Sequence, residues 1–153
     1  MGQINTREIC LLQSTTVTTT GTGPDINLIQ AFQAAIVTVS VTAASGTSPT
    51  LDVFVQNKIG QPASTDLSGG FLTGTAIYDD IMHFAQVTTT ATRIFRIATA
   101  GGNQEGAQQL NALAAATGKT GPLGGMWRVS YVVGGTSPSF TYSVSCQCVP
   151  YST

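Results

Sequence analysis

The residues able to carry chemistry are few, and their spacing works against most of it. His83 is the single histidine of the chain, set between Met82 and Phe84 with Asp79 and Asp80 just before it. A catalytic base needs an orienting carboxylate and a nucleophile within hydrogen-bond reach. On an extended strand Asp79, Ile81 and His83 share one face, which leaves Asp79 two pleats away from the ring. No serine lies in a G-x-S-x-G elbow. His83 therefore reads as a partly buried structural histidine bonded to a neighbour. Asp79-Asp80 is the one carboxylate pair. Adjacent strand residues point to opposite faces, so the two cannot flank a glycosidic bond. They read as the beginning of a strand, or at best as a weak calcium ligand.

Cysteine chemistry is equally thin. Cys10, Cys146 and Cys148 make an odd number, which argues against a disulfide framework. Cys146 and Cys148 fall on one strand face but lack the usual zinc-ligand spacing, and one histidine is a poor complement. They read as small buried thiols. Gly118-Lys119-Thr120 looks like the tail of a phosphate-binding loop, but the position that must be glycine is Leu113. Arg93 and Arg96 fall on opposite faces of a strand. Arg128, beside Trp127, suits an interface anchor or a guanidinium lying over its own sheet. No catalytic, cofactor-binding or metal-ligating residue is assigned, and the chain reads as non-enzymatic.

Composition points to a protein that works through its surface. The 153 residues, 42% of them apolar, suit one domain spanning 1–153 with a real core. Only 8% are charged, against about 25% in ordinary domains. A net charge of −1 leaves no electrostatic footprint for nucleic acid. The exposed surface must then be mostly Thr, Ser, Gln, Gly and Ala, which loses little hydration energy when a partner covers it. No apolar run approaches the roughly 20 residues of a membrane span. Met1–Cys10 lacks the apolar core of a signal peptide. Synthesis and retention in a reducing cytoplasm are expected.

Strand signals dominate the chain. Val37, Val39 and Val41 alternate with Thr38, Ser40 and Thr42, and Leu51, Val53 and Val55 share a face. Ile81–Val87 is apolar on both faces, as near a sheet centre. Thr92–Ile97 follows a Thr-rich turn. Trp127, Val129, Tyr131 and Val133 form one stripe, and Phe140–Cys148 alternates most cleanly of all. Glu8–Thr20 supplies an N-terminal strand. Seven or eight short strands between Gly, Pro, Ser and Thr clusters predict an all-β, antiparallel β-sandwich, jelly-roll-like. Its long Gly/Gln/Ala-rich connection runs from Ala100 to Gly125, with helix-forming residues over Gln104–Ala116. Asp25–Gln33 suits a turn of helix after Pro24. Gly46-Thr47-Ser48-Pro49-Thr50-Leu51 returns as Gly135-Thr136-Ser137-Pro138-Ser139-Phe140, and both copies are expected to be tight hairpin connections.

The stretches Ile77–Val87, Arg93–Ile97 and Met126–Thr141, with the strand Leu51–Gln56, resemble small structural proteins of tailed bacteriophages, in particular capsid decoration (cement) proteins. The shared motif, a strand, G-G-T-S-P-S-F and a second strand, carries no catalytic residues. The resemblance implies a β-sandwich on the capsid exterior, made in the host cytoplasm, with the major capsid protein as partner. A homo-oligomer, dimer or trimer, is expected; nucleic acid, membrane and cofactors are not. An N-terminal arm (1–7) and a C-terminal tail (149–153) are candidate clasps. The competing readings are a phage neck or tail component and a carbohydrate-binding sandwich, the latter needing an exposed aromatic platform.

Overall fold

The computed structural model describes residues 7–28, 32–60, 76–98, 113–119 and 125–150. They form strands β1 (Arg7–Val17), β2 (Gly21–Thr22), β3 (Ile26–Asn27), β4 (Phe32–Gly60), β5 (Ile77–His83), β6 (Ala91–Ala98), β7 (Thr117–Gly118) and β8 (Met126–Pro150). Every pairing between them is antiparallel. No helix occurs among the described residues.

Two strands are far longer than the chain's pattern of turns suggests. β4 holds 29 residues and β8 holds 25. At about 3.3 Å per residue β4 would reach roughly 95 Å, whereas a chain of this length compacts to a radius of gyration of about 15 Å. Both strands must therefore bend. They do so together where Gly46–Pro49 lies against Gly135–Pro138, with Ser45 paired to Ser139, Thr47 to Thr136 and Thr50 to Gly134. Gly46 and Gly135 have φ of 117° and 104°, and Ser48 and Ser137 have φ of 48° and 50°. The two motifs expected to be hairpins are thus matched corners within continuous strands. The positive-φ residues turn each chain without reversing it.

The corner divides the sheet into two layers. In one the order is β1, the C-terminal half of β8, the N-terminal half of β4, then β6. In the other it is β2 and β3, the N-terminal half of β8, the C-terminal half of β4, β5, then β7. This is the strand order of a jelly roll, a double-sheet solution that shortens exposed edges. The alternation seen in the sequence fills the space between layers. Val37, Val39, Leu51, Val53, Val55, Trp127, Val129, Phe140, Tyr142 and Val144 are all buried in one cluster. Phe84 and Phe95 meet edge-to-face across the layers, centroids 5.8 Å apart.

A pseudo-two-fold axis passes through the corner. It relates β1 to β5, β2 and β3 to β6, and β4 to β8. Val17 pairs with Phe140 as Val87 pairs with Leu51; Leu12 pairs with Val144 as Met82 pairs with Val55. Gly21 pairs with Tyr131 as Ala91 pairs with Val41. Among the described residues every ladder except β5–β7 joins one half to the other. Neither half has a sheet without its mate.

Three further expectations need correction. Asp25–Gln33 holds β3 and the start of β4 instead of a helical turn, with residues 29–31 outside the described residues. Ile81 to Phe84 are buried although β5 has only the two residues of β7 beyond it; the 113–119 segment covers that side. Arg7 is already in β1, and Val149 and Pro150 belong to β8, paired with Ala34 and Phe32. What remains of the arm and tail, 1–6 and 151–153, lies outside the described residues, as does most of Gln104–Ala116.

Candidate interaction surfaces

His83 sits on the outer face of the second layer. A bulge between Val55 and Gln56 shifts the register of β5, so Asp80 and Tyr78, not Asp79, share the face of His83. Its carboxylate neighbour comes from the adjacent strand: Asp52 Oδ1 lies 3.3 Å from Nε2. Nδ1 is 2.9 Å from the Leu113 carbonyl oxygen. The ring stacks on Phe54 with centroids 4.0 Å apart, and Gln86 Nε2 donates to the other oxygen of Asp52. Both ring nitrogens are taken, and neither touches a hydroxyl or thiol. His83 fastens the segment before β7 to the sheet.

The remaining charges of this face are also used internally. Arg128 Nε donates to Gln56 Oε1 at 2.7 Å, and Gln56 Nε2 donates to buried Asp80 at 2.7 Å. The Arg128 guanidinium lies 3.3 Å from the centre of the Tyr78 ring, so it covers its own sheet rather than projecting from it. Tyr78 donates to Asp25, which also pairs with Lys58 at 3.4 Å. The carboxylate that accepts this hydrogen bond holds the Tyr78 hydroxyl above its usual pKa, with desolvation adding to the effect. Lys119 pairs with Asp79, so Asp79 and Asp80 lie within β5 and serve opposite sides of it. Asp25, Asp52, Lys58, Asp79, Asp80, Lys119 and Arg128 comprise four of the seven acidic and three of the six basic side chains. Asp79 and Lys119 meet on the other side of β5, and the remaining five lie on or beside this face.

The thiols and the tryptophan are where the alternation puts them. Cys146 and Cys148 are buried side by side with Sγ atoms 3.2 Å apart, and Cys10 is exposed. The contact with Cys148 and burial push the Cys146 thiol well above its usual pKa. Trp127 is fully buried, which removes it as a sugar-stacking platform. Arg93 and Arg96 flank an open cleft of about 290 Å³ whose other walls include Phe84, Phe95 and Ala116. Among the described residues, no group of three or more His, Cys, Asp or Glu side chains could hold a metal ion. No helix among them is long and apolar enough to cross a membrane.

The end of the molecule at the pseudo-two-fold axis has a different character. It gathers the β1–β2 connection, the β5–β6 connection and the two corners. Their sequences are Val17-Thr18-Thr19-Thr20-Gly21-Thr22, Val87-Thr88-Thr89-Thr90-Ala91-Thr92, Gly46-Thr47-Ser48-Pro49 and Gly135-Thr136-Ser137-Pro138. Thr18–Thr20, Thr88–Thr90, Gly46–Ser48 and Gly135–Ser137 are all exposed, and none is charged. The pairing of the two V-T-T-T-x-T segments escapes a reading by strand periodicity. They lie 70 residues apart and the corners 89 apart, so no single repeat period shows. Aligning each corner with the strand three elements before it would have found them.

No protein-family model matches the chain, and no curated protein matches it. Among solved structures it is similar to a chain of "Structure of infectious bursal disease virus Gx strain". The match has a TM-score of 0.42 and 15% identity, covering 95% of this chain and 32% of that one. The protein thus spans about a third of the length of that neighbour.

Proposed function

We propose that the chain is a structural virion protein that decorates and stabilises a bacteriophage capsid by binding the lattice of its major capsid protein. The observation that carries this reading is the partition of the surface. Most charges of the β4–β5–β8 layer are paired with one another, Arg7, Glu8, Arg93 and Arg96 lie exposed on the other layer, and an end of preformed loops carries no charge. Such an end loses little hydration when covered and little conformational freedom on docking. Repeated over a lattice, modest contacts of this kind hold firmly. The resemblance of Met126–Thr141 and its companion strands to decoration proteins supports the same reading, and jelly rolls recur in capsid and lectin domains, although a fold alone does not fix a function.

Copy number tests it. Gel densitometry of purified particles should find hundreds of copies of the chain per particle. A dozen or fewer would favour a neck or tail component, and absence from particles would overturn the proposal. The carbohydrate-binding alternative has lost its best aromatic, since Trp127 is sealed in the core.

A further inference from the structure

The two halves of the molecule resemble each other unevenly. Leu11-Leu12-Gln13-Ser14-Thr15-Thr16 of one half stands where the other has Ile81-Met82-His83-Phe84-Ala85-Gln86. The stripe Val37, Val39, Val41 stands where the other half has Trp127, Val129, Tyr131. The core and the sheet faces thus differ between the halves. The V-T-T-T-x-T and G-T-S-P segments do not, although most of their residues are exposed. Loops ordinarily vary faster than the elements they join, so likeness kept in exposed loops points to contact more than to packing. The corner glycines have a structural reason for their identity, given their φ values and their close approach. Thr18 and Thr19, and their mates Thr88 and Thr89, have none of comparable weight. Thr20 does accept a hydrogen bond from the Val133 backbone.

We infer that the pseudo-two-fold end is the docking face, and that it seats on a local two-fold axis of the capsid protein lattice. Its two near-identical Thr-rich loops, which differ only at Gly21 and Ala91, would touch two equivalent shell sites. This rests on the decoration reading and specifies it: one chain bridges two shell subunits, as a dimeric clamp would. A surface carrying the same loop twice about an axis is matched by a partner with the same symmetry, because each loop then makes the same contacts. A three-fold or five-fold centre offers no such match to a single chain.

An electron-microscopy map of particles carrying the chain tests the inference directly. The expected result is density at local two-fold positions, with the 18–22 and 88–92 loops on equivalent shell residues. Attachment through another face, or at a three- or five-fold centre, overturns the inference and leaves decoration standing. Absence of the chain from particles overturns both. Re-binding of purified variants to particles assembled without the chain provides the second measurement. Thr19→Lys and Thr89→Lys should each lower affinity by about tenfold, the effect of desolvating an unpaired charge. The two losses should agree within about threefold, and the double variant should lose about a hundredfold, since separate contacts add in free energy. A folded variant that binds normally, or one loop mattering and its mate not, overturns the symmetric dock. Thermal unfolding of each variant identifies any that fail to fold.

Discussion

The corner is the feature on which the fold depends, and Gly46→Ala and Gly135→Ala probe it from its two sides. A Cβ on Gly46 would stand 2.7 Å from the Ser137 carbonyl oxygen and 2.9 Å from Pro138 Cα; one on Gly135 would stand 2.6 Å from the Ser48 oxygen and 2.9 Å from Pro49 Cα. These neighbours are backbone, so they cannot swing aside. A side chain in the left-handed region costs about 1–2 kcal/mol, and forcing extra volume into a packed contact costs about 1–3 kcal/mol more. Each substitution should therefore cost about 3 kcal/mol of the roughly 5–15 kcal/mol that holds a typical domain. Urea unfolding followed by the fluorescence of Trp127, the lone and fully buried tryptophan, should show midpoints lower by about 1–2 M. The double variant should cost less than the sum, because the first Cβ already parts the strands for the second. Ser48→Gly and Ser137→Gly relieve positive φ without adding volume and should leave the midpoint unchanged or slightly raised. A loss below about 0.5 kcal/mol in either alanine variant, within the range of surface changes, would refute the corner. So would costs that differ severalfold between the two sites.

Gln56→Ala removes the donor to buried Asp80 and the acceptor of Arg128 Nε; it should cost about 2–3 kcal/mol in urea unfolding. Native protein treated with a thiol reagent should lose one thiol quickly, Cys10, and yield all three only after unfolding. Hydrogen bonding to Asp25 raises the pKa of Tyr78, and burial raises that of Tyr142, above the usual value. The unfolded chain then loses these protons first, so stability is intact below about pH 10 and falls as pH rises beyond it; tyrosinate absorbance and unfolding midpoints from pH 9 to 11 would check this. Particle binding through an uncharged face should change less than about threefold between 50 and 500 mM salt, since few ion pairs are there to be screened; a steep salt dependence would point to a charged face instead.

Much of the fold was legible because burial follows alternation. The inward stripes read from the residues, from Val37 through Cys148, lie in the core, with Tyr131 and Val133 half-buried against it. The corners were misread for a physical reason. Gly, Ser and Pro at positive or fixed φ break local extension in the same way whether a chain reverses or merely bends. Only the partner strand decides between the two, and here the partner is the other copy of the motif. The bulge between Val55 and Gln56 had no local signal either. It exchanged the faces expected for Asp79 and Asp80 relative to His83, and Asp52, the true neighbour of His83, lies 31 residues away.

Scarcity of charge has a structural side as well as a functional one. A jelly roll whose ladders nearly all run between its halves has no sub-unit that can form first and shelter the rest. Charges at its seams would have to be matched across elements far apart in sequence. One place where that matching is achieved is the outer face tied by Arg128, Gln56 and Asp80. A partner docking there would have to break bonds that the sheet already uses, leaving Asp80 buried without its donor. At the opposite extreme, Thr18, Thr19, Thr88 and Thr89 give up only water when covered. The proposed docking through the loop end therefore rests on what each surface would lose on contact.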